Sequence, residues 1–178
     1  MPTGSGPNGY TSQVGDGMRV FCSPAVSGAL AVATAFALDQ ATKALALANV
    51  GSLVGGLAIA PGFNLVLVRN SGVSFGMLGD MPWWALALFA LAVCCWLTTL
   101  MLRSPSRREA IGYGLIIGGA LGNIMDRARL GGVIDFLDFY VGRAHWPAFN
   151  LADAMIFCGV GLMLWAQLLG VRGKGGAS

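Results

Sequence analysis

The residues in this chain whose types and spacing could carry chemistry are aspartates. Asp126, Asp135, Asp138 and Asp153, four of its eight acidic residues, fall within residues 119–153, between two apolar stretches. A charged side chain at a helix centre in hydrocarbon costs about 2.5 to 3.5 kcal/mol on the lower scales, so such residues usually face protein or water and mark function. Asp135 is the least ordinary of them, because Val133, Ile134, Phe136 and Leu137 around it are apolar and supply no cation. Its partner has to come from elsewhere in the fold. Two carboxylates sharing a site cannot both ionise easily, so one retains a proton while the other activates water. Asp135 and Asp153, 18 positions apart, are the candidates for such a pair. This chemistry calls for no metal and no cofactor. The four cysteines show no C-x-x-C or Cys/His spacing, which gives no reason to expect a zinc site or a structural disulfide. His145, the single histidine, stands beside Trp146 and Pro147 and reads as a solvated loop residue.

The elements that must position these aspartates are membrane helices. Of 178 residues 56% are hydrophobic and 11% charged, too apolar for a soluble domain of this size. A bilayer core of about 30 Å takes about 20 apolar residues per helix. The expected fold is an α-helical integral membrane protein with four transmembrane helices, at about 24–49, 82–102, 109–126 and 153–171, and a small extracytoplasmic β element. These form one domain over residues 21–171, after a disordered Gly/Ser/Pro-rich tail at 1–20, where Met18 is an alternative start, and before a short basic tail at 172–178. A strand is expected at 63–69, a tight turn over residues 70–76 that uses Gly72 and Gly76, and a strand or interfacial segment at 133–140. Gly114, Gly118 and Gly122 have small-xxx-small spacing, which predicts close packing of the third span.

Charge gives the orientation. With four spans, one face carries Arg19, Arg103, Arg107, Arg108, Arg172 and Lys174, and the other Lys43, Arg69, Arg127, Arg129 and Arg143. The count is nearly even, but the short loop at 103–108 concentrates three arginines, which places both termini in the cytoplasm. Asp39, Asp80, Asp126, Asp135, Asp138 and Asp153 then share the extracytoplasmic face. The basic residues form no stripe that fits nucleic acid.

Each local pattern also has a plainer reading. Asn123, Asp126 and Arg127 share one helical face but also suit a polar helix end, and Asp39 with Lys43 is an ordinary i, i+4 ion pair. Asp39 lies about 22 Å along its helix from Pro24, near the far interface, from where Lys43 can snorkel outward. Asn150 and Asp153 have the spacing of a helix capping box.

Five motifs together are more specific. Asp39-Gln-Ala-Thr-Lys43, Asn70-Ser-Gly-Val-Ser-Phe-Gly76, Gly119-Ala-Leu-Gly-Asn-Ile-Met-Asp-Arg127, Val133-Ile-Asp-Phe136 and Phe149-Asn-Leu-Ala-Asp153 stand between the four spans. In this order the chain resembles the bacterial lipoprotein signal peptidases, the signal peptidase II family, over about residues 25–170. The resemblance implies a four-helix aspartyl endopeptidase of the bacterial inner membrane, with a β-cradle and a loop arm at its outer face. It would cut the signal peptide from a diacylglyceryl-modified prolipoprotein just before the lipidated cysteine. On this resemblance Asp135 and Asp153 are the catalytic pair, and Asp39, Lys43, Asn70, Gly76, Asn123, Asp126, Arg127 and Asn150 bind substrate or support the site. Membrane lipids and the prolipoprotein are the expected partners, and the chain is expected to act as a monomer. Two alternatives are a small proton-coupled carrier or channel subunit, which predicts carboxylates spread through the membrane depth, and a hydrolase using Lys43 with Ser71 or Ser74.

Overall fold

The computed structural model describes residues 23–72 and 82–174. Its elements in chain order are α1 (Pro24–Ala48), α2 (Val50–Leu53), β1 (Leu57–Ala60), β2 (Phe63–Asn70), α3 (Trp83–Arg103), α4 (Arg107–Leu130), β3 (Val133–Val141), β4 (Ala144–His145) and α5 (Leu151–Lys174). The tail at 1–20, the alternative start Met18, and Gly76, Ser74 and Asp80 lie outside the described residues.

Helix ends follow local chemistry. Ser23 caps α1 by accepting the Val26 N–H, with Pro24 at the first helical position. Ser106 caps α4 at the Glu109 N–H, and Gly131 ends it with φ +68° in the left-handed region that glycine tolerates. The polar residues at both ends of α4 are therefore helical, and it runs beyond the expected 109–126.

α4 is the centre of the bundle. Its Gly114, Gly118 and Gly122 form an i, i+4 stripe against α1, where they meet the Gly28 carbonyl, the Val32 carbonyl with Ala35, and the Asp39 side chain. Gly112 and Gly119 form a second stripe against α5, meeting the Gly159 and Ala152 carbonyls. On its third side Ala110 and Ile117 pack with Cys94, Leu97 and Met101 of α3. Small residues thus line the helix contacts, while Leu30, Phe89, Trp96, Phe157 and Trp165 point outward, the arrangement expected where the surroundings are apolar. Gly118→Val should lower the unfolding midpoint in detergent, because its first added carbon meets the Val32 carbonyl and Ala35, and such overpacking costs about 1 to 3 kcal/mol. Gly161→Ala, whose added carbon meets nothing within 4 Å, should leave that midpoint unchanged or raise it.

Among the described residues three helices are long and apolar enough to cross a membrane: Pro24–Ala48, Trp83–Arg103 and Leu151–Leu168. α4 has 24 residues but carries Arg107, Arg108 and Glu109 at one end and Asp126, Arg127 and Arg129 at the other. Wrapped by the other three helices, it has little surface that needs to be lipophilic.

The strands form one antiparallel sheet in the order β1-β2-β3-β4. β2 and β3 pair with Asn70 opposite Val133, Val68 opposite Asp135 and Asn64 opposite Asp138, with a bulge between Leu65 and Val68. Gly62, at φ +85°, turns β1 into β2. α2 and β1 were not expected. Four residues each, among glycines and without apolar alternation, they carry no period that distinguishes helix or strand from loop.

Candidate active site

Five elements converge on the aspartates: the last third of α1, the end of α4, the start of β3 with the end of β2, and the first turn of α5. β3 brings Asp135 inward at 2% exposure, and the two amides that meet it come from other elements. Asn70 at the end of β2 donates from Nδ2 to Asp135 Oδ2 at 3.1 Å, and Asn150 donates from Nδ2 to Oδ1 at 2.7 Å. Asp135 therefore finds hydrogen-bond donors where the sequence showed only that no cation was adjacent. Burial, followed by the nearby charge of Asp153, outweighs these bonds and pushes its pKa up from 3.8 to about 6.

Asp153 lies in the first turn of α5. Its backbone N–H donates to Asn150 Oδ1 at 3.1 Å, and the Asn150 N–H donates back to Asp153 Oδ2 at 3.2 Å, a reciprocal capping box. The expected cap is present, and it does not exhaust the carboxylate: Asn123 Nδ2 donates to Oδ1 at 3.0 Å. Asn150, fully buried, thus bonds to both Asp135 and Asp153, and its Nδ2 also reaches Asn123 Oδ1 at 3.3 Å. The side chain of Asn150 on Asp135 and its backbone N–H on Asp153 tie the two carboxylates together across 18 positions of sequence.

Beneath them lies a buried charged cluster. The Lys43 ammonium has three donors and meets three acceptors, Asp39 Oδ2 at 2.9 Å, Asp126 Oδ2 at 2.9 Å and Asn123 Oδ1 at 2.8 Å. The expected i, i+4 pair forms, but Lys43 does not snorkel outward. It is 2% exposed, because two carboxylates and an amide inside the bundle bind the ammonium better than a route to the interface would. Gln40, named in the sequence only as part of the Asp39–Lys43 motif, donates from Nε2 to Asp39 Oδ2, Asp126 Oδ1 and the Gly122 carbonyl at 3.2 to 3.3 Å.

Arg127 donates to the carbonyls of Asn123 and Gly72 at 3.3 and 3.1 Å. Its Nε is buried without a hydrogen-bond partner among the described residues. Asn70 Oδ1 accepts the Gly72 N–H at 3.1 Å, so the start of the expected turn is locally fixed, while Gly76 lies outside the described residues. Asp138 stays apart from this group. It pairs with His145 Nδ1 at 2.9 Å and accepts from Asn64 at 3.0 Å. Burial pushes its pKa up, but the bonds from His145 and Asn64 prevail and hold it below the usual carboxylate value. His145, expected in a loop, sits in the short strand β4, with its ring about half exposed.

The site therefore holds two carboxylates linked through Asn150, one of them with its pKa raised to about 6, with the side-chain amides of Asn70 and Asn123 as further donors. Comparison with known proteins gives the chain's family. A family profile described as Signal peptidase (SPase) II matches residues 31–169. Proteins named lipoprotein signal peptidase are similar to the chain. The one from Aeromonas hydrophila is 49% identical over 136 residues, 73% of this chain and 81% of the relative. Those from Azoarcus sp. (strain BH72) and Methylocella silvestris are 45% and 42% identical, over 76% and 86% of this chain and 79% and 92% of the relatives. A solved structure described as a bacterial membrane enzyme, obtained by the in meso method, is 26% identical and superposes with a TM-score of 0.72 over 83% of this chain and 90% of that one. A second of the same description is 27% identical, with a TM-score of 0.67 over 79% of this chain and 92% of that one. With a profile matched over most of its length and relatives of this identity and coverage, the chain belongs to the signal peptidase II family.

Proposed function

We propose that this chain is a membrane aspartyl endopeptidase that removes the signal peptide from diacylglyceryl-modified prolipoproteins, cutting just before the lipidated cysteine, with Asp135 and Asp153 as its catalytic pair. The observation that carries this reading is Asn150, which bonds to both carboxylates at once. A water held between them loses a proton to Asp153 while its oxygen adds to the scissile carbonyl carbon. Asp135 gives its proton to the carbonyl oxygen. In the second half the tetrahedral carbon re-forms its carbonyl and returns that proton to Asp135, the C–N bond breaks, and Asp153 delivers its proton to the leaving nitrogen. Proton transfer of this kind is worth about 10² to 10⁴ in rate per group. The roles follow from the surroundings: burial favours the neutral form of Asp135, and the N-terminus of α5 favours negative charge at Asp153. Arg127, whose Nε has no hydrogen-bond partner among the described residues, and Asn70, at the start of the 70–76 turn, would bind substrate backbone. Asp39, Lys43, Asn123 and Asp126 support the pair from below.

In this reading α4 is the third of four spans, both termini lie in the cytoplasm of the inner membrane, the sheet and aspartates lie outside, and the enzyme works as a monomer within lipid. Cysteines introduced at Ser71 and Ser106 should label from opposite sides, the first from outside. Labelling of both from one side, or a reporter after Lys174 that behaves as extracytoplasmic, would contradict this topology. The activity is tested by incubating the detergent-purified protein with a lipidated prolipoprotein and an unlipidated control. A mobility shift of the lipidated protein alone is expected, and no shift in either would overturn the assignment.

A further inference from the structure

The cluster beneath the pair has a regularity that simple charge neutralisation does not require. Asp126 Oδ2 accepts the backbone N–H of Ile134 at 3.2 Å, and Asp39 Oδ1 accepts that of Ala152 at 3.0 Å. Ile134 directly precedes Asp135, and Ala152 directly precedes Asp153. Each buried carboxylate therefore holds the main chain one residue before one member of the pair, and each is in turn held by the same two donors, Lys43 Nζ and Gln40 Nε2. We propose that Gln40 and Lys43 are positioning residues of the peptidase, which lock Asp39 and Asp126 so that these fix the backbone approach of both Asp135 and Asp153.

The proposal rests on the catalytic pair assigned above and adds the device that sets its geometry. The local structure supports it. Gly122 leaves the space that the Asp39 carboxylate occupies, since a side chain there would collide with Asp39 Oδ2. That carboxylate consequently lies against α4 and reaches α5 without leaving the bundle. The general packing of α1 on α4 is supplied separately, by the glycine stripe at Gly114 and Gly118. A shift of the main chain at 134 or 152 redirects the next side chain, and a misplacement of 1 Å costs on the order of 10²-fold in a catalysed rate.

The test is Gln40→Met, which keeps size and charge balance but removes the donor shared by Asp39 and Asp126. In the full-length protein in detergent, with a lipidated prolipoprotein, kcat should fall by about 10- to 100-fold. KM and the unfolding midpoint should stay near wild type, and hydrogen exchange should accelerate at the amides of Ile134 and Ala152. Wild-type kcat, or exchange accelerated throughout the bundle with KM and the midpoint lost together, would overturn the proposal. Lys43→Arg, which keeps the buried positive charge but not the compact three-donor ammonium, should show the same fall in kcat, and full activity there would count equally against it. Asp135→Asn assayed in parallel separates the two levels. If it is inactive while Gln40→Met and Lys43→Arg work normally, the positioning fails and the catalytic pair stands. If Asp135→Asn cleaves normally, the pair itself fails, and the positioning proposal with it.

Discussion

Asp135→Asn and Asp153→Asn should each fold, bind a lipidated prolipoprotein and fail to cleave it. Asparagine nearly matches aspartate in shape and can keep one of the two accepted hydrogen bonds at each position, but it can neither accept a proton from water nor donate one of comparable acidity. Each loss should cost about 10² to 10⁴ in kcat. The two groups act within one turnover, so the double variant should be scarcely slower than either single, as expected for residues that function as a unit. Asp138→Asn should remain active, because its partners are His145 and Asn64 rather than any member of the pair. Single-turnover cleavage of the same substrate by the four purified proteins checks this, with deamidation excluded by mass spectrometry. The result also discriminates against a hydrolase built on Lys43 and Ser71, which would survive loss of Asp135. The geometry weighs against that alternative too, since the Lys43 ammonium already donates to three acceptors.

The amount of this that could be read from sequence depended on whether the signal was local. The helices of α1, α3 and α5 were legible because about 20 consecutive apolar residues have few other uses. β2 and β3 showed β-branched runs bounded by turn residues, and the glycine spacing in α4 predicted its close packing. β1 and α2 were illegible because four residues hold less than one informative period. At the site, Asp135 stood out because its apolar neighbours demanded an outside partner, but those partners, Asn70 and Asn150, lie 65 and 15 positions away, and only the sheet register and the α5 cap bring them in. The inward turn of Lys43 was missed for a related reason. A lysine near a helix end snorkels when nothing inside competes, and Asp126 and Asn123 compete from 83 and 80 positions away. The backbone N–H groups of Ile134 and Ala152 carry no sequence signal, since every non-proline residue has one.

The pH dependence of kcat/KM for a lipidated prolipoprotein tests the shared-proton mechanism most directly. A carboxyl whose pKa is raised to about 6 is the neutral acid below that pH and a second carboxylate above it. The rate should therefore fall about tenfold per unit as pH rises beyond the upper step, and fall again in acid as the remaining carboxylate takes up a proton. The two limbs belong to the pair as a whole. The same shift has a sign for stability. The folded protein holds the Asp135 proton more tightly than the unfolded chain, so this contribution is full below 3.8 and lost as pH rises through about 6. The account predicts a bell-shaped profile whose alkaline limb lies near 6 in the free enzyme. A profile that is flat across this range, or that climbs steadily into the alkaline region as expected for a neutral amine acting as base, would contradict it.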